Sequence, residues 1–354
     1  MRRARGMKLA ALAIAGSLAL AACASDEDTS GSGGSASSGG SEDGPKIGLA
    51  YDTGGRGDKS FNDSAYAGVE AAIEANGGSV QEVSPNSDAS DRADLLTQLA
   101  DQGFNPIIAV GFAYGDVIGD VAQQYPDVDF AIVDSTGVDV ADNVTGLQFA
   151  ANQGSFLGGV AAATKSETGH VGFVGGVETP LIQAFEAGFV AGAQTVKPDI
   201  IIDRQYISPA GDFSGFNDPA RGQIVAQGMF DAGADIVYAA AGGSGIGVFQ
   251  AAAASGGRAI GVDSDQYETV GDASLQAVIM TSVLKRVDNA VEAYIGTFVD
   301  GSVEGGTDVV NDLSTEGVGL SYSGGFIDDI QSTIDDYTQQ IVDGEITVPE
   351  TPTD

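Results

Sequence analysis

The stretch YDTGGRGDKSFN, residues 51–62, follows the short apolar run 46–50 and precedes a helical pattern that begins near Asp58. A strand, a Gly-rich turn and a helix in that order predict an α/β unit whose loop lies at the carboxyl end of its strand. Open α/β sheets bind ligands at that end, so the loop is read as one wall of a small-molecule site. Outward from it the same rhythm repeats. Apolar runs predict strands at 46–51, 79–84, 106–110, 128–133 and 143–149, with helices at 58–76, 91–102 and 114–124 between them. Helices at 153–165, 180–194, 218–231 and 245–255 then alternate with strands at 170–174, 199–207, 235–240 and 258–262. This alternation predicts parallel sheets covered by helices on both faces and joined by right-handed crossovers.

Such a length of βα units exceeds one typical core, so two lobes are expected. The remaining elements read as a strand at 275–281, a helix at 283–299 and a strand at 307–313. A closing helix follows, carrying the stripe Phe326, Ile330, Ile334, Tyr337 and Ile341. The expected division is a first lobe of 46–150 and 264–305 and a second of 151–263 and 306–345. A tail, 346–354, holds two prolines and is expected to fray.

Residues 1–22 have the build of a signal peptide: Arg2, Arg3, Arg5 and Lys8 precede an apolar stretch from Leu9 to Ala22 that is too short to span a bilayer. The stretch ends in Leu20-Ala21-Ala22-Cys23, which resembles a bacterial lipobox; that resemblance implies cleavage before Cys23 and its acylation. Cys23 is the only cysteine of the 354 residues, so no internal disulfide is available and the fold must rest on its apolar core. Residues 23–45 are mostly Ser, Gly, Asp and Glu and read as a flexible tether between a membrane anchor and the folded body. The formal net charge is −35, and loss of the leader's four cations makes it more negative still. Nucleic acid is therefore not an expected partner, because phosphate binding needs clustered Lys and Arg.

Enzyme motifs fail on inspection. Residues 54–60, GGRGDKS, lack the Walker spacing and place Asp58 directly before Lys59, where a phosphate would sit. Residues 243–247, GSGIG, lack the dinucleotide-binding spacing. His170 is the only histidine, so His-based triads and Cys–His metal clusters have too few parts. No catalytic residue, metal or cofactor is expected. What stands out instead is a set of aspartates at predicted strand ends: Asp52, Asp134 and Asp263. Each could be a helix N-cap, but together they suit a ligand with paired hydroxyls, since a carboxylate accepts two hydrogen bonds at once. Phe61, in the first turn of its helix, could stack on a flat ring. Phe213 and Phe216, in the loop GDFSGFNDP, could supply the opposite wall. Lys285 is placed in the first turn of the 283–299 helix, where a cation opposes the helix dipole and calls for an acceptor nearby.

At these residues the chain resembles the basic membrane protein family of ABC-transporter substrate-binding lipoproteins, whose characterised members include purine nucleoside receptors. The matching stretches are DTGGRGDKSFNDSAYAGVEAA, NQGSFLGGVAA, HVGFVGG, AAGGSGIGVFQAA, IGVDSDQ and TSVLKRVDNAV, in the family's order. The resemblance implies a type I periplasmic-binding-protein fold: two Rossmann-like lobes, three hinge crossovers and a ligand enclosed between them. It implies ligand-binding roles for Asp52, Phe61, Asn62, Asp134, Phe216, Gly243, Asp263 and Lys285, with Phe213 as the rival of Phe216. It further implies ABC permease subunits as partners and a lipid-anchored place on the extracytoplasmic face of the cell membrane. A receptor of this fold for a sugar or another small polar metabolite is the alternative, and a signalling or adhesion lipoprotein is another.

Overall fold

The computed structural model describes residues 44–86 and 89–352. The leader, Cys23 and nearly all of the tether lie outside the described residues. The first half of the chain runs β1 (Lys46–Ala50), α1 (Phe61–Asn76), β2 (Ser79–Val83), α2 (Arg92–Asp101), β3 (Ile107–Ala109), α3 (Gly115–Gln124), β4 (Phe130–Val133) and β5 (Val144–Phe149). Next come α4 (Ala151–Lys165), β6 (His170–Val177), α5 (Pro180–Val196), β7 (Ile201–Ser208), α6 (Pro219–Ala232), β8 (Ile236–Ala240), α7 (Gly245–Ser255) and β9 (Arg258–Asp263). The short helices α8 (Gln266–Thr269) and α9 (Ala273–Gln276) lead to β10 (Ile279–Lys285), α10 (Val287–Val299), β11 (Thr307–Asn311), β12 (Val318–Leu320) and α11 (Gln331–Val342).

Two six-stranded sheets result, ordered β11-β5-β4-β3-β1-β2 and β12-β10-β9-β8-β6-β7. Every pairing in them is parallel except the antiparallel edge β10–β12. Strand residues alternate between two helix layers. In the first lobe Ile47, Leu49, Ile108, Val133 and Leu147 pack with α1 and α10, whereas Ala50, Ile107, Ala109, Phe130 and Ile132 pack with α2 and α3. In the second lobe Phe173, Tyr238 and Val262 pack with α4 and α5, while Val174, Val237 and Ala259 face α6 and α7. Strands buried on both faces read as nearly unbroken apolar runs, as parallel sheets require. The chain passes between lobes after β5, after β10 and between β11 and β12. This is the two-lobed α/β architecture of type I periplasmic binding proteins.

Three expectations need correction. The 275–281 strand is β10, Ile279–Lys285, so the helix after it begins at Val287 rather than 283. Lys285 therefore ends a strand and does not sit in a first helical turn. β10 joins the second sheet and β11 the first, which moves 264–285 out of the first lobe and 307–311 out of the second. The third concerns the tail, whose start is held in place. Val348 is buried in the second core, and its carbonyl accepts a 3.0 Å hydrogen bond from Asn152 Nδ2.

Candidate functional site

Between the lobes, where the carboxyl ends of both sheets converge, lies a cavity lined by residues of both, the place where α/β folds bind small molecules. The first lobe lines it with Asp52, Thr53, Asp58, Phe61, Asn62, Phe112 and Asp134. The second contributes Leu181, Ile182, Phe185, Phe216, Ala240, Ala241, Gly242, Val262, Asp263 and Lys285. Seven of the eight ligand residues expected from the sequence are thus brought to one cavity. The exception is Gly243: the lining residue of that loop is Gly242, which also holds the left-handed φ of 54° that glycine adopts without strain. Cys23 lies outside the described residues.

The polar end of the cavity is a buried ionic cluster. Lys285 Nζ donates to Asp134 Oδ2 across the lobes at 2.6 Å and lies 3.6 Å from Asp263 Oδ1 in its own lobe. Burial disfavours the ammonium, but Asp134 and Asp263 outweigh that and hold the Lys285 pKa above its ordinary value. Asp263 Oδ2 accepts a 2.6 Å hydrogen bond from Ser60 Oγ of the opposite lobe. Asp134 Oδ1 is buried and has no hydrogen-bond partner among the described residues. Asp134 and Asp263 occupy matching places, just past β4 and at the end of β9, and both are left-handed, with φ of 62° and 64°. Backbone held in that region by a non-glycine residue costs about 1–3 kcal/mol and clusters at binding sites.

Around the cluster the walls are aromatic. The Lys285 ammonium lies 4.3 Å from the centroid of Phe61, 5.6 Å from that of Phe149 and 5.7 Å from that of Phe185, distances at which a ring quadrupole attracts a cation. Phe216, on the 3-10 turn Phe213–Phe216, forms part of the second lobe's wall. Phe213 does not line the cavity, which separates the two rivals. Asn62 lines it, yet both ends of its amide are engaged: Oδ1 accepts from the Asp52 backbone N–H at 2.9 Å and Nδ2 donates to Asp58 Oδ2 at 3.0 Å. These bonds tie it to the Gly-rich loop while it lines the cavity. Asp58 caps α1, accepting from the backbone N–H groups of Ser60, Asn62 and Asp63.

Sequence reasoning missed Phe112, Leu181, Ile182 and Phe185, although the rule that found Phe61 reaches them. Each lies within the first two turns after a strand, β3 or β6, at its carboxyl end. It also missed Arg92, whose Nη2 donates to Asp52 Oδ1 at 3.2 Å behind the cavity wall.

Residues 46–352 match the family model described as ABC transporter substrate-binding protein PnrA-like. The chain is 38% identical over 355 residues to a CD4+ T-cell-stimulating antigen of Listeria innocua, covering 96% of each chain. It is 35% identical over 361 residues to the ABC transporter nucleoside-binding protein BmpA of Lactococcus lactis subsp. cremoris, covering 98% of this chain and 99% of that one. A solved ABC transporter solute-binding protein from Aeropyrum pernix K1 superposes with a TM-score of 0.75 at 28% identity, over 88% of this chain and 94% of the other. The two-lobed fold, the cavity between the lobes and the match across nearly all the described residues agree: the chain belongs to the Bmp family of PnrA-like ABC transporter substrate-binding proteins.

Proposed function

We propose that this protein captures a purine nucleoside in the cavity between its lobes and delivers it to the permease of an ABC importer, while held to the extracytoplasmic face of the membrane by a lipid on Cys23. One observation carries the ligand class. The buried, unpartnered Asp134 Oδ1 shares a cavity with aromatic rings from both lobes, Phe61 and Phe216. A buried acceptor left unpaired costs about 1–3 kcal/mol, and a sugar hydroxyl relieves that cost. A flat base suits the rings, because stacked or edge-to-face contacts add about 0.5–1.5 kcal/mol beyond burial. The nucleoside-binding name of the Lactococcus lactis relative supports the same class.

In this reading the base lies between Phe61 and Phe216, and Asp52, Asp134, Asp263 and Lys285 hold the polar edges of the ligand. Titration calorimetry with inosine, guanosine and adenosine is expected to give micromolar or tighter binding. Asp263→Ala removes a charged acceptor and is expected to weaken binding by about 1.5–3 kcal/mol. Unchanged affinity in that variant takes Asp263 out of the site, and a panel in which sugars bind while nucleosides stay silent overturns the ligand class. Cells fed a radiolabelled fatty acid are expected to yield labelled wild-type protein and unlabelled Cys23→Ser. A wild type that takes up no label refutes the anchor.

A further inference from the structure

The motif GDFSGF carries two phenylalanines three residues apart, and only Phe216 lines the cavity. Phe213 lies at the opposite edge of the molecule from the interlobe crossings. Those crossings leave the sheets at β5, β10, β11 and β12, whereas Phe213 follows β7, the far edge strand of the second sheet. Facing it across the cleft is Arg92, the first residue of α2, which follows β2 at the far edge of the first sheet. The Arg92 guanidinium carbon is 4.9 Å from the Phe213 ring centroid and 5.5 Å from that of Tyr114 in its own lobe. Phe213 also meets Phe112 at 5.9 Å between centroids. Arg92 is only 7% exposed, and Asp52, a cavity-lining carboxylate, fixes it through Nη2. Beside this contact Gly54 approaches Asn217 so closely that a Cβ there would stand 3.0 Å from the amide carbon Cγ.

We infer that Arg92 and Phe213 form a clasp at the cleft mouth that sets how long the ligand stays bound. Contacts farthest from the crossings separate most when the lobes open, so every departure of ligand must break this one. A guanidinium over an aromatic face gains most where water is excluded, and Arg92 is buried. Asp52 connects the clasp to the cavity: the carboxylate that lines the binding space also positions the guanidinium that receives Phe213. Both residues are positioning residues, since neither lines the cavity. Phe213 is half-buried on a short 3-10 turn, so its replacement leaves both cores intact.

The inference rests on the nucleoside reading for its probe. The test is rapid-mixing competition against a fluorescent purine nucleoside, with wild type, Phe213→Ala, Phe213→Leu and Phe213→Tyr. Phe213→Ala is expected to speed dissociation about tenfold, with association within about twofold of wild type and no change in the melting of the ligand-free protein. Phe213→Tyr is expected to behave as wild type, and Phe213→Leu, apolar but without a ring face, as Phe213→Ala. Dissociation unchanged in Phe213→Ala, or Phe213→Leu equal to wild type, overturns the clasp. If wild type binds no nucleoside, the ligand reading fails and small-angle scattering of ligand-free protein decides the clasp. A more open Phe213→Ala supports it, and identical profiles overturn it.

Discussion

Lys285 has the most heavily constrained environment of any cation described. It is 3% exposed, pairs with Asp134 in the other lobe and approaches Asp263 in its own. Removing one partner of a buried charge cluster costs far more than the cluster contributes, because the remaining charges lose compensation without regaining water. Lys285→Met is therefore expected to lower unfolding free energy by about 3–5 kcal/mol near neutral pH, read by denaturant titration. The pH dependence has a definite sign. Burial already holds the Asp134 pKa above its ordinary value even with Lys285 beside it, so in the variant Asp134 takes up a proton in the folded state at a pH where the unfolded chain has released it. Folded pKa values above unfolded ones make stability fall as pH rises, so the deficit should be smaller at pH 5 than at pH 8. A deficit independent of pH would mean that the carboxylates remain compensated without the lysine. A second prediction concerns Gly176, at which a Cβ would stand 2.7 Å from Phe216 Cε1 and nearer still to Cδ1. Gly176→Ala must displace that cavity-lining ring, at an overpacking cost of about 1–3 kcal/mol. Titration should show weaker ligand binding, and Phe216→Leu in the same chain should restore part of it, a coupling that a double-mutant cycle measures.

At the scale of elements, α4 and α5 pack closely, and small residues set that closeness. A Cβ on Gly159 of α4 would run into the backbone of α5 at Phe189, and one on Gly188 or Gly192 of α5 into that of α4 at Asn152 or Phe156. Gly192→Ala improves intrinsic helix propensity by up to about 1 kcal/mol, yet overpacking costs about 1–3 kcal/mol. A net loss of thermal stability is expected, and a gain would show that the helices can move apart freely. These same elements indicate what could be read from sequence. The βα rhythm and the aspartates at strand ends were legible, because alternation and strand polarity fix where loops cluster. The stretch 275–299 was not. A buried parallel strand is a continuous apolar run, which periodicity cannot separate from a buried helix. Val283 and Leu284 lead without a break into the helical stripe of Val287, Val291 and Tyr294, so the helix was read about one turn early. Lobe membership failed for a related reason. β10 pairs with β9 and β11 with β5, and pairing partners leave no local trace in the residues of either strand. Phe112 and Phe185 were passed over because aromatics near a helix start look like core until the facing lobe is in place.

For the whole molecule the governing quantity is charge. The chain carries a formal −35, and the cavity repeats that bias on a small scale. Asp52, Asp58, Asp134 and Asp263 line it, against Lys285 in the wall and Arg92 behind it. Arg92 is committed to Asp52 and Lys285 to Asp134 and Asp263, so the walls hold no spare cation for an anionic ligand. A carboxylate about 7 Å from a phosphate repels it by about 2 kcal/mol at an effective dielectric of 20, which corresponds to roughly thirtyfold in affinity. If the proposed nucleoside binds, at 100 times its dissociation constant it should stabilise the fold by about 2.7 kcal/mol and raise the melting temperature accordingly. The corresponding 5′-monophosphate at the same concentration should give little or no shift, and competition should rank it at least about thirtyfold weaker. Added salt is expected to recover only a small part of that gap, because the repelling carboxylates are buried and screening acts weakly on buried charges. Equal shifts from nucleoside and nucleotide would mean that the phosphate escapes the cavity into solvent, and with it that the lobes do not close over the ligand.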